Sequence, residues 1–219
     1  MARILVINPN SSIACSDGID AAISPFRTQA GLSIDVVTTP DGPSAIYSWR
    51  DWHAAVEPVC RRIETDPADI YVIACASDPG IEAARATTDA PVLGVFRCAV
   101  AAAIARADRF GIIAIVEASK DRHLAALRAI GLESRLASEI ALNVSMDTLL
   151  DPVATRARLI DAAIACRAAG AGMVVLGCTG MAHHRAAIEI AARIPVIEPC
   201  RAAMAQAVGI LDPSFYHPG

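Results

Sequence analysis

The apolar positions of this chain fall into short runs rich in Val and Ile, separated by longer stretches where Ala, Leu and Ile recur at helical spacing. Short β-branched runs bounded by turn residues predict buried strands, and the segments between them predict helices. The alternation opens with a strand at 4–7, a polar turn Asn8-Pro9-Asn10-Ser11-Ser12 in which Ser11 or Ser12 caps a helix, and that helix, which runs to about 29. Strands follow at 32–37, 69–75 and 91–95, with helical segments over 46–64 and 78–88. A second pass has a helix at 98–107, a strand at 110–116 and a helix capped by Ser119 that runs to 130 and is closed by Gly131. It continues with a weaker strand at 136–143 and a long helix opened by Asp151-Pro152 and ending at 169. A strand at 172–178, a helix at 181–193, a short strand at 195–197 and a helix at 201–211 precede an irregular tail, 212–219.

Two stretches organise this pattern. Val72-Ile73-Ala74-Cys75-Ala76-Ser77-Asp78-Pro79-Gly80 and Val174-Val175-Leu176-Gly177-Cys178-Thr179-Gly180-Met181 are apolar runs that stop at a cysteine and turn through small residues toward a helix. Each is followed by a helix and then by Pro91-Val92-Leu93-Gly94 or Pro195-Val196-Ile197-Glu198. Upstream, Ile4 to Asn8 corresponds to Ile112 to Val116. This is an internal repeat of domain size. Alternating strands and helices imply parallel sheets covered on both faces. The expected fold is therefore α/β, with two lobes related by a pseudo-twofold axis: residues 1–95 with 198–219, and residues 96–197. Ligands bind outside the carboxyl ends of such strands, so each lobe offers one thiol to a shared cleft.

Composition narrows the class. Hydrophobic residues make up 54% of the 219 and aromatics only 4%, so the core is built mainly of Ala, Ile, Leu and Val. No apolar stretch reaches membrane-spanning length before charge or Gly interrupts it. Net charge is −4 with no basic block, which argues against a nucleic-acid partner. The first apolar run is too short for a signal peptide, and seven scattered cysteines read as reduced thiols, pointing to a cytoplasmic protein. No C-x-x-C and no Cys/His cluster at zinc spacing occurs, so no metal is expected.

Two facing thiols suit one reaction. Removing a proton from a carbon beside a carbonyl leaves a near-planar enolate. A base on one face and an acid on the other then return the proton to the opposite side. The pair must have similar proton affinities, and a strand-to-helix position is expected to draw a thiol's pKa down from about 8.5 toward neutrality. Donors in the 8–12 turn, the Ser77 and Gly80 turn and the Thr179-Gly180 turn would hold the enolate oxygen. Gly177 and Gly180 permit close backbone approach. Cys15, Cys60, Cys98, Cys166 and Cys200 read as packing residues, with Cys98 near the cleft. His183-His184, His53 beside Trp49 and Trp52, and Asp41 with Ser44 are secondary candidates that ordinary surface or packing roles also explain.

The turn Asn8 to Ser12 and the two cysteine motifs, taken together, resemble the aspartate/glutamate/hydantoin racemase superfamily, most of all its hydantoin racemase branch, which includes allantoin racemases. The resemblance runs over nearly the whole chain. It implies two flavodoxin-like lobes, cofactor-independent racemisation of a small hydantoin or related amino-acid derivative, and a homo-oligomer. By it Cys75 and Cys178 are the catalytic pair, Asn8, Ser77 and Thr179 contact the substrate, and Ser12 and Gly180 follow. The chain departs from the pattern at Phe96-Arg97-Cys98 and Val116-Glu117-Ala118-Ser119, both expected to border the cleft. Arg97 there is a candidate for a substrate carboxylate or, equally, for a surface ion pair. Maleate isomerases of the superfamily keep both cysteines, and arylmalonate decarboxylases have glycine at the first, so these reactions are the alternatives. A non-catalytic binding module using the same cleft is the third.

Overall fold

The structure, a computed structural model, describes residues 1–212 apart from Pro152, Ala154 and the side chain of Leu150. The expected proline start of the helix before 156 and the tail beyond 212 lie outside the described residues. Within them, eight strands form two four-stranded parallel sheets of the same order. The first is β2-β1-β3-β4, from β1 (Ala2–Asn8), β2 (Leu32–Thr38), β3 (Ile70–Ile73) and β4 (Val92–Gly94). The second is β6-β5-β7-β8, from β5 (Phe110–Ala114), β6 (Leu136–Ala141), β7 (Met173–Gly177) and β8 (Val196–Ile197). In each, the cysteine-bearing strand pairs with the lobe's first strand: Ile7 with Ile73, and Ala114 with Gly177. These are two flavodoxin-like lobes.

The helices are α1 (Ile13–Ile23), α2 (Trp49–Ala54), α3 (Val56–Thr65), α4 (Ile81–Thr87), α5 (Val95–Ile104), α6 (Glu117–Ala129), α7 (Met146–Leu150), α8 (Arg156–Ala168), α9 (Arg185–Ala192) and α10 (Pro199–Leu211). Alternate residues of each strand serve opposite faces. Ile4, Val6, Ile70 and Val72 pack under α1 and α10, while Leu5, Ile7, Tyr71 and Ile73 pack under α3 and α4. In the second sheet Ile113, Val174 and Leu176 meet α8 and α9, while Phe110, Ile112 and Val175 meet α5 and α6. Burial on both faces is why these strands read as unbroken apolar runs, each Ile, Leu or Val contributing about 1.5–3 kcal/mol when fully covered.

Two helices cross between the lobes. α5 follows β4 of the first sheet, yet Phe96, Ala99 and Val100 pack on the second. α10 follows β8 of the second sheet, yet Cys200, Ala203 and Met204 pack on the first. They lie against each other, with Gln206 Nε2 donating to the Cys98 carbonyl oxygen at 2.9 Å. This exchange holds the two carboxyl edges over a common cleft.

Several boundaries differ from expectation for identifiable reasons. The first helix stops at Ile23 because Pro25 follows, and a 3-10 turn, Ser24–Thr28, takes over. The single helix expected over 46–64 is two. Residues 39–48 are loop, α2 starts at a Ser48/Asp51 capping box, and Pro58, which lacks an N–H, is placed in the first turn of α3. Ser119 is not the cap of α6; Val116 is, and the Glu117 N–H is satisfied by Asn143 Oδ1 at 2.9 Å. Gly131 closes that helix with φ +72°, as expected. The helix expected at 98–107 begins earlier, at Val95. α7 was not foreseen. The segment after Cys178 is a 3-10 turn, Thr179–His184, before α9. Among the described residues no helix is long and apolar enough to cross a membrane.

Candidate active site

Cys75 lies two residues beyond the end of β3, and Cys178 follows β7 directly. The loops after them are built alike. Asp78 N–H donates to the Cys75 carbonyl at 2.9 Å, and Met181 N–H to the Cys178 carbonyl at 3.1 Å. Each tight turn aims the intervening N–H back at the sulfur, so that Cys75 Sγ accepts from Ser77 N–H and Cys178 Sγ from Gly180 N–H. Ser77 Oγ also stands 3.5 Å from Cys75 Sγ. Both thiols line one narrow cavity of about 40 Å³ between the lobes, room for only a few water molecules.

The electrostatics depart from the expectation of acidic thiols. Burial pushes the Cys75 thiol up, and pushes Cys178 up to about 12. The N–H donors oppose this without overcoming it, because the charged sulfur would leave water for a closed cavity. No α-helix begins at either cysteine; α4 starts only at Ile81. Two further influences matter. The Arg122 guanidinium favours the Cys75 thiolate, and negative charge on Cys75 opposes ionisation of Cys178.

Of the residues singled out from the sequence, Cys75, Cys178, Ser77 and Thr179 line the cavity together. Gly180 does not line it but supplies the N–H to Cys178. Asn8 is fully buried behind it, with its Nδ2 donating to Asn10 Oδ1, the Ser12 carbonyl and Ser16 Oγ at 3.0–3.1 Å. It therefore shapes the turn, and Asn10 is the residue that reaches the cavity. Ser12 caps α1 through Cys15 N–H instead of facing the cleft. Arg97 is not free to meet a substrate carboxylate in this cavity. It pairs with Glu82, lies 3.9 Å from Asp78 and faces away from the cysteines. The Phe96–Cys98 segment belongs to α5, and Cys98 is buried in the first lobe's core. Asp41 is exposed beside Arg61. His184 is buried against Thr155, its pKa pushed down to about 4 by that burial.

The sequence reading missed Tyr47, Met146, Arg122 and His123, all of which line the cavity. Arg122 is buried on α6. It donates to the Ile46, Tyr47 and Ala118 carbonyls and to Ser119 Oγ at 3.0–3.3 Å, and its Nε has no partner. His123 stacks on Phe96 with ring centroids 4.8 Å apart and holds Glu139 at 2.5 Å. For Arg122 and His123 a local signal was present, since with Ser119 they share one helical face with Leu127, an unusual place for three polar residues; nothing local marks Tyr47 or Met146.

A two-lobed α/β protein with one strand-end cysteine per lobe at a single cleft is thus defined by its own geometry, and comparison with known proteins agrees. The Asp/Glu/Hydantoin racemase profile matches residues 4–207. The chain is 36% identical over 208 residues to hydantoin racemase from Paenarthrobacter aurescens, covering 92% of this chain and 87% of that protein. The solved allantoin racemase from Klebsiella pneumoniae superposes with TM-score 0.89 at 30% identity, over 98% of this chain and 89% of that one. Allantoin racemase from Pseudomonas fluorescens has the same fold, with TM-score 0.90 at 24% identity over 97% and 92% of the two chains. The chain belongs to the Asp/Glu/hydantoin racemase family and is a racemase, an enzyme of the isomerase class.

Proposed function

We propose that the chain racemises a small 5-substituted hydantoin or a related amino-acid derivative, with Cys75 and Cys178 as its two acid–base groups. The observation that carries this reading is that thiols from equivalent strand ends of the two sheets line one cavity and are electrostatically coupled. Both thiols are protonated at rest; turnover starts once one sulfur has lost its proton while the other keeps it. Arg122 favours Cys75 as the thiolate. The Cys75 thiolate takes the proton from the substrate carbon, and the C–H electron pair moves onto the carbonyl oxygen as an enolate. The Cys178 thiol then gives its proton to the opposite face, leaving Cys75 protonated and Cys178 ionised. The mirror-image substrate runs the same steps in reverse and resets the pair. Thr179, and Asn10 through the amide group opposite its engaged Oδ1, are the donors suited to the enolate oxygen.

Circular dichroism of an enantiopure hydantoin in D2O tests this. Loss of ellipticity accompanied by one deuterium at the asymmetric carbon is expected, with Cys75→Ser and Cys178→Ser each slowing racemisation about 10²–10⁴-fold. Losses of only a few-fold would sink the two-thiol mechanism.

A further inference from the structure

His123 lines the cysteine cavity but takes no part in the proton transfers described above. Its ring is fixed on three sides. One face stacks on Phe96 with an interplanar angle of 13°, Nδ1 meets Glu139 Oε1 at 2.5 Å, and the Cε1 edge closes on Gly177, where a Cβ would lie 3.0 Å away. Both members of the dyad are buried, with side chains 2% and 6% exposed. Nε2 is the atom left over. It has no hydrogen-bond partner among the described residues, yet it is not sealed from solvent as the unpartnered Nδ1 of His184 is. The space it reaches is the cavity that His123 lines.

The partner on Nδ1 decides what Nε2 can do. A carboxylate only accepts, so the hydrogen of the pair sits on Nδ1 and the neutral ring presents Nε2 as a lone pair. Other side-chain acceptors on the cavity wall are already engaged. Asn10 Oδ1 takes Asn8 Nδ2 and the Ser12 N–H, Ser119 Oγ takes Arg122, and the Tyr47 oxygen takes the Met146 N–H. The position of His123 matters as well. The pseudo-twofold axis that exchanges Cys75 and Cys178 also exchanges the loop after β1, which carries Asn10, with the α6 end of β5. Asn10 and His123 therefore reach the cavity from opposite sides.

We propose that His123, oriented by Glu139, is the specificity-determining acceptor for the ring N–H beside the racemised carbon. The inference rests on the racemase reading of the cysteine cavity. In a hydantoin the reacting carbon, C5, stands between the C4 carbonyl and the N1–H. With the C4 oxygen turned toward Asn10, the N1–H is turned toward His123. A ring with oxygen in place of N1–H would set a lone pair against the Nε2 lone pair, so the site discriminates against it. Phe96, Gly177 and Glu139 hold the imidazole in the one orientation that makes this contact.

The test compares 5-methylhydantoin with 5-methyloxazolidine-2,4-dione, in which oxygen replaces N1–H. Each kcat/KM is divided by the rate of base-catalysed racemisation of the same compound in buffer, which removes the difference in C–H acidity. The wild type is expected to favour the hydantoin about tenfold on this normalised scale, the worth of one hydrogen bond. The double variant His123→Phe/Glu139→Leu removes both buried partners together and keeps a ring on Phe96. It is expected to bring the ratio to about one, by lowering the value for the hydantoin while that for the dione is unchanged. A second measurement needs no variant activity. In the 15N NMR spectrum of the histidine-labelled wild type, His123 Nε2 is expected at the position of an unprotonated imidazole nitrogen. It is expected to move upfield on saturation with unsubstituted hydantoin and to stay in place with oxazolidine-2,4-dione. A normalised ratio near one in the wild type, a ratio that survives the double variant, or an Nε2 that carries a proton in the free enzyme would overturn the proposal. Failure to racemise 5-methylhydantoin, with the NMR response to hydantoin intact, would overturn the racemase reading instead.

Discussion

The phenolic oxygen of Tyr47 accepts the backbone N–H of Met146 at 2.7 Å, tying a loop of the first lobe to the start of α7 in the second across the mouth of the cysteine cavity. The Tyr47 carbonyl is held in turn by Arg122. Two loops from opposite lobes are thus latched over the thiols, which explains how a cleft between domains narrows to about 40 Å³. Tyr47→Phe removes one latch bond while keeping the ring. It is expected to raise KM about three- to tenfold, because closure over the substrate loses about 1 kcal/mol. The alkylation rate of Cys75 by iodoacetamide is expected to rise as the thiol meets more water; an unchanged rate would remove the latch from the account.

Burial raises both thiols, so the enzyme at rest holds its protons at neutral pH. Deprotonation of one thiol is required before turnover. kcat/KM is therefore expected to climb with pH through and beyond the ordinary thiol range of about 8.5, without levelling near neutrality. Arg122 is the nearby cation that favours the Cys75 thiolate. Removing it in Arg122→Gln is expected to move the rising limb to higher pH, and to move the pH profile of Cys75 alkylation in the same direction. A profile that keeps its midpoint in the variant would show that Arg122 does no more than hold the Tyr47 loop.

The fold was legible because burial on both faces writes each strand as a continuous apolar run and the two passes repeat one another. The two cysteines and their turns were legible for the same reason. Three things were not. Asn8 reads as a polar residue at a strand end, but its bonds to Asn10, Ser12 and Ser16 turn it inward, and only the folded turn reveals that Asn10 is the residue presented. Arg122 and Tyr47 come from a helix face and a loop remote in sequence from either cysteine, joined by a contact across the lobes that local patterning does not encode. The thiol acidity was misread because helix-end logic counts donors, whereas the closed cavity adds a desolvation cost that exceeds them.

The pseudo-twofold arrangement makes the two cysteines chemically distinct toward the two enantiomers. A variant that keeps Cys75 but has Ser at 178 still holds a base on one face. It is expected to exchange the substrate proton for deuterium in one enantiomer only, with retention, while racemisation falls; Cys75→Ser is expected to do so, more weakly, in the other. NMR loss of the C5 proton signal, followed beside circular dichroism, separates exchange from inversion. Equal exchange of both enantiomers by either variant would mean that the two sulfurs do not stand on opposite faces.

The loop after Cys75 is pinned by Asp78, whose carboxylate accepts the Phe96 and Arg97 N–H groups at 2.8 and 3.0 Å and so caps α5, the helix that crosses to the second lobe. Asp78 itself sits at φ +45°, a conformation that Asn also tolerates. A Cβ at Gly94 would lie 2.2 Å from the Asp78 Cγ, so the carboxylate reaches the helix end only because residue 94 is glycine. Burial pushes Asp78 up to about 6 from its usual 3.8. Between those values the folded chain holds a proton that the unfolded chain has lost, so this contribution to stability is complete below about pH 4 and is lost as pH rises to about 6. In urea unfolding, the advantage of the wild type over Asp78→Asn is therefore expected to shrink by about 2–3 kcal/mol from pH 4 to pH 6 and then stay level. Gly94→Ala is expected to destabilise by about 2–3 kcal/mol through the clash, and Asp78→Gly in that background to recover part of the loss, because the two changes share one contact. Strict additivity of the pair would mean that the cap is not what requires glycine at 94.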